Sequence, residues 1–430
     1  MRETQGKTRD KQLSGAETDG PAEASDRLPH RVTTPGERTR AFVILFASLT
    51  CLGMGQTVIF ATLPPLSRQL GMIDFQVGAI FMVSAVLWLF TSPYWGRRSD
   101  VMGRKPVILI GLGGFAVSTA LFAGILGLGV EGMLPLAVLY PALILSRTVF
   151  GTLGPGANSA AQAYVADRTD PEQRTSALAG LGAAFVLGTT MGPGMVWVMS
   201  GFGLLAPMFG VAGLGALSCL AILLFLPERT RPKERDERPH LRLWDPRVRE
   251  PLTICILLSV SQAVPVQTIT FLFLDRFSDD PGLAAAMAAE ALLASSLGML
   301  IVQLGVLPRL GWPERRLMRV GTALAACGYG LLVASPNPGA VILAMVFVGI
   351  GFAMARSGGV GAASLAVTPD EQGGVAGLIG ATGGAGFVVA PLVAFPLYAI
   401  APSAPFALCF TIVTGIIVWL WVTSDRAVDP

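Results

Sequence analysis

Between Ala41 and Thr423 the chain passes through one long apolar stretch after another, each interrupted only briefly by Arg, Lys, Asp, Pro or Gly. The apolar positions are continuous, without the period of two that a membrane β-barrel strand requires. A hydrocarbon core about 30 Å thick is crossed by about 20 helical residues. Backbone groups in lipid must be satisfied within their own segment, so each stretch predicts a helix. Twelve are placed, at approximately 41–66, 75–95, 106–127, 135–165, 176–199, 203–226, 251–274, 283–307, 317–334, 339–363, 374–399 and 404–423. Residues 1–40 break the pattern: rich in charged residues, Gly, Thr and Pro, they cannot bury enough surface to offset ordering and predict a disordered tail. They also lack the apolar core of roughly 7 to 15 residues that a cleaved secretory signal needs near its start.

Charge then orients the bundle, because Lys and Arg gather in cytoplasmic loops. One set of loops carries Arg31, Arg38 and Arg40, then Arg97, Arg98, Arg104 and Lys105, then Arg168 and Arg174, the segment 227–250, and Arg309, Arg315, Arg316 and Arg319. The opposite loops hold Arg68 and Arg276. Both termini are expected in the cytoplasm of a multi-pass protein of the inner (plasma) membrane. The apolar pattern breaks at 227–250, which divides the chain into six-helix halves at 41–226 and 251–423, with a short tail at 424–430. A shift of 198 residues lays Pro171 on Pro369, Gly182 on Gly380, Ala183 on Ala381, Gly188 on Gly386, Pro193 on Pro391, Gly151 on Gly349 and Asn158 on Arg356. One offset equal to six helices predicts two halves of the same membrane orientation, a parallel repeat typical of one large class of transporters.

Composition narrows the function classes. Of 430 residues 52% are hydrophobic and 14% charged, against roughly 25% charged in a soluble globule. A net charge of +3 is too small, and too localised in loops, to make a nucleic-acid surface. Cys51, Cys219, Cys255, Cys327 and Cys409 lie far apart inside apolar stretches and read as small buried hydrophobes. His30 and His240 lie in polar segments, so no histidine cluster is expected in the spans for metal binding or proton relay. The chain carries no HExxH, GxSxG or phosphate-binding loop, which argues against a membrane-embedded enzyme and against drive by ATP.

The segment after the second helix reads as a loop, Gly96-Arg97-Arg98-Ser99-Asp100-Val101-Met102-Gly103-Arg104-Lys105, with Pro106 starting the next helix. Gly103 can take a left-handed turn. Asp100 amid four cations, near helix N-termini, can form a charge-assisted latch or stand merely solvated. This Gly-x3-Asp-x2-Gly-Arg-Lys pattern is similar to the signature between helices two and three of the major facilitator superfamily. The resemblance implies twelve helices in two halves related by a pseudo-two-fold, and a gate at their interface formed by Asp100 and its basic neighbours.

In the fourth helix Gly151, Gly154 and Asn158 fall on the face of Arg147, each within about 40° of it. An arginine inside the bilayer costs at least ~2.5 kcal/mol on insertion scales and is a functional candidate, with snorkelling as the alternative. The pattern resembles the superfamily's arginine motif of helix four, which implies a part in proton coupling. The helix ends in Asp167 and, after Pro171, Arg174, similar to the helix four to five junction of drug and tetracycline exporters; the two are gate candidates at the cytoplasmic rim. In the fifth helix Gly180, Ala184, Gly188 and Gly192 recur every four residues before Pro193, which permits close helix approach. By resemblance, Gly188-x3-Gly192-Pro193 is similar to the antiporter motif of that helix, although Val196 and Trp197 stand where paired glycines are expected.

Remaining polar residues in spans include Gln56, Gln162, Gln262, Gln267, Gln303, Glu290 and Arg356. Glu290, the only carboxylate placed within a helix, is the proton-carrying candidate beside Arg147, facing either the cavity or the headgroups. Arg356, with small neighbours, suits an anionic or zwitterionic partner or a cytoplasmic-end anchor. Gln56, Asn158, Gln262, Gln267, Phe271 and Arg356 are taken as cavity lining. The sequence thus predicts a monomeric secondary transporter without cofactor. It would use the proton gradient to export small amphipathic molecules, with a substrate, protons and the lipid bilayer as its only partners. Uptake of a metabolite or siderophore on the same fold is the alternative, and an enzyme or receptor the remote one.

Overall fold

The computed structural model describes residues 35–169, 171–227, 245–368 and 371–425. These residues form an all-helical bundle: α1 Pro35–Gln69, α2 Asp74–Met102, α3 Arg104–Val130, α4 Leu136–Ala166, α5 Pro171–Met199, α6 Ala206–Phe225, α7 Arg249–Arg276, α8 Pro281–Ile301, α9 Glu314–Ala334, α10 Pro338–Leu365, α11 Gln372–Ile400 and α12 Ala404–Asp425. Twelve helices are long and apolar enough to cross a membrane, as the sequence pattern predicts. His30, His240, most of 227–250 and the tail up to Thr34 lie outside the described residues.

Four boundaries differ from the sequence expectation. Residues 35–40, assigned to the tail, are helical and open α1; Pro35 starts the helix, where a missing N–H costs nothing, and Glu37 sits in the favourable first turn. The predicted loop after α2 is almost entirely helix: α2 continues to Met102 and α3 begins at Arg104. Gly103, at φ +95°, makes the whole reversal, a conformation that a Cβ would strain. The span predicted through 307 breaks at a π turn, Val302–Val306, after which a short helical end runs to Leu310. At the far end α12 reaches Asp425, so part of the predicted tail is also helix.

Six helices form each half, and the 198-residue shift carries packing as well as sequence. A Cβ on Gly151 of α4 would press on Ser84 of α2, and one on Gly349 of α10 on Ser295 of α8. Gly188 of α5 lies on Thr50 of α1 as Gly386 of α11 lies on Ser259 of α7. Equivalent glycines therefore set equivalent helix crossings in both halves, the small-residue route to close approach in a medium where the hydrophobic effect cannot drive association.

Arginines at the end bearing the basic loops lie on aromatic faces: Arg40 on Phe225, Arg168 on Tyr164, Arg316 on Trp312 and Arg319 on Trp421, at 3.7–4.7 Å from the ring centroids. Such pairs cover the stem and leave the charge near the rim. Cys51, Cys255 and Cys409 are buried, but Cys327 is exposed on α9, contrary to the uniform burial expected of the cysteines.

Candidate functional site

The side-chain contacts described between the halves gather away from the basic loops. Thr270 Oγ1 of α7 donates to the Phe60 carbonyl of α1 at 3.3 Å. Phe60 stacks on Phe387 of α11 at 5.9 Å, and a Cβ on Gly78 of α2 would meet the Phe395 ring. Toward the basic end the facing positions are open instead. No atom lies within 4 Å of where a Cβ would stand on Gly96, which shares the Gly78 face of α2, or on Gly377, Gly380 or Gly384 of α11. The halves are thus sealed at one end and parted at the other.

At the basic end the signature residues are knotted within one half. Arg104, the first residue of α3, donates from Nε to Asp167 Oδ2 at 3.0 Å and from Nη1 to Ser99 Oγ at 2.5 Å. It also pairs through Nη2 with Asp100 Oδ1 at 2.6 Å. One nearly buried guanidinium therefore joins the ends of α2, α3 and α4, while Asp100 stays exposed. Lys105 Nζ caps the end of α6 at the Leu223 carbonyl, 2.9 Å away. Asp167 pairs with Arg104; the side chain of Arg174, its expected companion, lies outside the described ones. Gly96 meets nothing within 4 Å of a Cβ position.

Arg147 does not face the gap. It is 5% exposed, with its guanidinium 4.4 Å from the Phe150 ring centroid, 5.8 Å from that of Phe122 and 3.5 Å from Ser84 Oγ. Its Nε has no hydrogen-bond partner. The glycines sharing its face explain this: Gly151 draws α2 onto α4 through Ser84, and aromatic rings close the rest. Glu290 lies elsewhere, exposed on α8 in register with Leu283, Leu297 and Leu304, all exposed and seven residues apart. That stripe is the outer face of the helix. The two coupling candidates lie apart, and Glu290 takes the outward of its two anticipated orientations.

The cavity candidates separate into two groups. Gln56, Asn158, Gln262 and Arg356 are half-buried within α1, α4, α7 and α10. Because α1 and α7 are enclosed by neighbours along most of their length, the accessible surface at Gln56 and Gln262 opens inward. Asn158 Oδ1 accepts from Gln162 Nε2 at 3.2 Å. Arg356 donates to Ser259 Oγ at 2.9 Å and to the Ile379 carbonyl at 3.4 Å, beside Gly383. Phe271 and Gln267, by contrast, belong to the seal. Phe271 is fully buried against Phe395 and Tyr398, and Gln267 is 1% exposed with both amide atoms unpaired. Their helix leans on α1 and α11 at that depth, which apolar neighbours in sequence could not reveal.

Gly188 and Gly192 of α5 press on α1, where a Cβ would collide with the Thr50 carbonyl or with Thr57 Oγ1. Thr50 Oγ1 donates across the same contact to the Ala184 carbonyl at 3.1 Å. Pro193 follows inside the helix. A network that the sequence reading missed lies at the sealed end. Arg68 of α1 donates to Asp74 of α2, at 3.2 Å from Nε and 2.9 Å from Nη2, and also to Asp275 of α7, from Nη2 at 3.1 Å and more closely from Nη1. Tyr398 Oη of α11 donates to Asp275 Oδ2 at 2.6 Å. All four residues stand at span ends, where charge is ordinary, and only the structure brings them together. Among the described residues no group of three or more His, Cys, Asp or Glu side chains could hold a metal ion.

A twelve-helix bundle of two repeated halves, sealed at one end, is matched by known proteins. Residues 45–391 match the profile of the Major Facilitator Superfamily. The chain is 25% identical over 383 residues to the class C tetracycline resistance protein of Escherichia coli, covering 84% of this chain and 91% of that one. It is 28% identical over 201 residues to multidrug resistance protein 2 of Bacillus subtilis, a match spanning 47% of each. In structure it is similar to the human organic anion transporter MFSD10, with a TM-score of 0.64 at 21% identity over 89% of this chain and 99% of that one. The chain belongs to the Major Facilitator Superfamily of membrane transporters.

Proposed function

We propose that the protein is a proton-coupled exporter of small amphipathic molecules, taking up its substrate between the halves from the end that carries the basic loops. The observation that carries this reading is the set of half-buried polar side chains inside the span, Gln56, Asn158, Gln262 and Arg356, on the side where the halves are parted. By the excess of arginine and lysine in its loops that end is the cytoplasmic one, so a substrate loads from within and the inner (plasma) membrane is the site of action, with the protein working as a monomer. The full-length similarity to a tetracycline resistance protein supports export, as does the pressing of Gly188 and Gly192 on α1.

Two features bear on the chemistry. Away from span ends the only carboxylate among the described residues is Glu290, on the outer stripe. The deep cations are Arg147 and Arg356. A carboxylate-free lining with a cation at its edge favours neutral or anionic amphipathic substrates over organic cations. Arg147 remains the coupling residue of this proposal, a desolvated cation that responds to any charge change nearby; Asp100, Arg104 and Asp167 form the gate. The test is transport by purified protein in liposomes under an imposed pH gradient, with tetracycline-like, anionic and cationic fluorescent compounds compared. Movement opposite to proton flow, greater for neutral and anionic compounds and lost in Arg147→Ala, is the expected result. Gradient-independent or proton-parallel movement would overturn export by antiport.

A further inference from the structure

We propose that Arg68, Asp275 and Tyr398 form the latch that keeps the end opposite the basic loops closed, and that Asp74 sets how tightly the latch holds. The argument begins with which helices each residue belongs to. Arg68 and Asp74 lie on α1 and α2 of one half, and Asp275 and Tyr398 on α7 and α11 of the other. Of the ion pairs described, Arg68 to Asp275 is the one that crosses between halves. Beneath it the Arg68 guanidinium lies 5.2 Å from the Phe271 ring centroid, again across the interface.

The arrangement has a consequence for opening. If the halves part here, Arg68 keeps Asp74, bonded through Nε and Nη2, and Asp275 keeps the Tyr398 hydroxyl. Arg68 keeps a counter-charge and Asp275 keeps a hydrogen-bond donor, so the transition lowers the penalty of a bare ion in a partly buried site. Each residue has one partner in its own half and one across the gap, or shares one that does. A charge pair of side chains a quarter to a third exposed is worth a few-fold in an equilibrium constant, enough to bias two conformations without locking either. Asp74 competes with Asp275 for the same guanidinium, which gives the two carboxylates opposite effects. Loss of Asp275 removes the crossing bond and favours opening. Loss of Asp74 leaves Arg68 without a partner in the open form only, and favours closure.

The proposal rests on the rocking of two halves common to the superfamily, not on the direction or coupling of transport proposed above. It is tested by hydrogen–deuterium exchange on the purified full-length protein in lipid nanodiscs, without any substrate. Asp275→Asn is expected to raise exchange about two- to five-fold in peptides ending α1, α7 and α11 and to lower it at the basic ends of α2 and α11. Asp74→Asn is expected to shift both sets in the opposite sense. Reciprocal changes of opposite sign in the two variants would establish the latch. Unchanged exchange in Asp275→Asn, a rise at both ends, or a shift of the same sign in both variants would overturn it, and a transporter that fails the liposome test can still pass this one.

Discussion

Arg104 donates to oxygens on Ser99, Asp100 and Asp167 and is itself almost buried, so its removal leaves carboxylate and hydroxyl groups at the ends of α2 and α4 without their shared cation. Arg104→Ala should lower the stability of the purified protein by on the order of 3 kcal/mol, read as a fall in the thermal midpoint of tryptophan fluorescence. Asp100→Asn, at the exposed corner of the same knot, should cost less than about 1 kcal/mol. A second cluster at the same end responds to pH. Arg247 holds Glu371 through two bonds of 2.8 and 3.0 Å. That contact, with help from the Thr368 N–H, depresses the carboxyl from 4.5 to about 2. Asp245, bonded by the same arginine, is also lowered. A carboxylate depressed in the fold contributes stability above its unfolded value and loses it as pH falls through the folded one. The stability difference between the protein and Glu371→Gln should therefore be constant above about pH 5 and close between roughly pH 4.5 and 2. A difference that changed between pH 6 and 8 would show that another group controls the contact.

At the level of helices, α1 and α5 meet through glycine. Gly188→Leu should push the pair apart, costing about 1–3 kcal/mol and abolishing transport. Gly182→Ala, one and a half turns earlier with nothing within 4 Å of its Cβ position, should be neutral or stabilising by up to about 1 kcal/mol. Equal loss in both would mean that the α5 glycines serve flexibility and not contact. The helices themselves were legible in the sequence because lipid leaves a spanning segment few alternatives, and the repeat was legible because Gly151, Gly188 and their partners 198 residues on do the same work in both halves. What helical spacing could not supply was the direction of each face. The angle that groups Arg147 with Gly151 is correct, but it does not tell whether a gap or another helix lies there; here α2 and α3 fill the space with Ser84 and Phe122. Glu290 was hidden for the same reason, since its neighbours on α8 are apolar on every side. The Arg68 network was missed because residues at the ends of four helices, 207 positions apart at the extreme bond, carry no local pattern.

For the whole molecule, the distribution of contacts matters more than any one of them. Helix ends are tied within a half by Arg104 at the basic end, glycine contacts fix the crossings inside each half, and the polar and aromatic contacts of the seal lie toward the other end, with α5 meeting α8 deeper in the span. Each half can thus turn as a unit about its sealed end. From Arg68 to Ala41 α1 runs for roughly 40 Å at 1.5 Å per residue, so each 10° of tilt carries the basic end through about 7 Å. A half this long works as a lever: a rotation small enough to leave the far seal intact changes the width of the basic end by several ångströms, so the opening there is set by helix length and stiffness before any side chain in the gap acts.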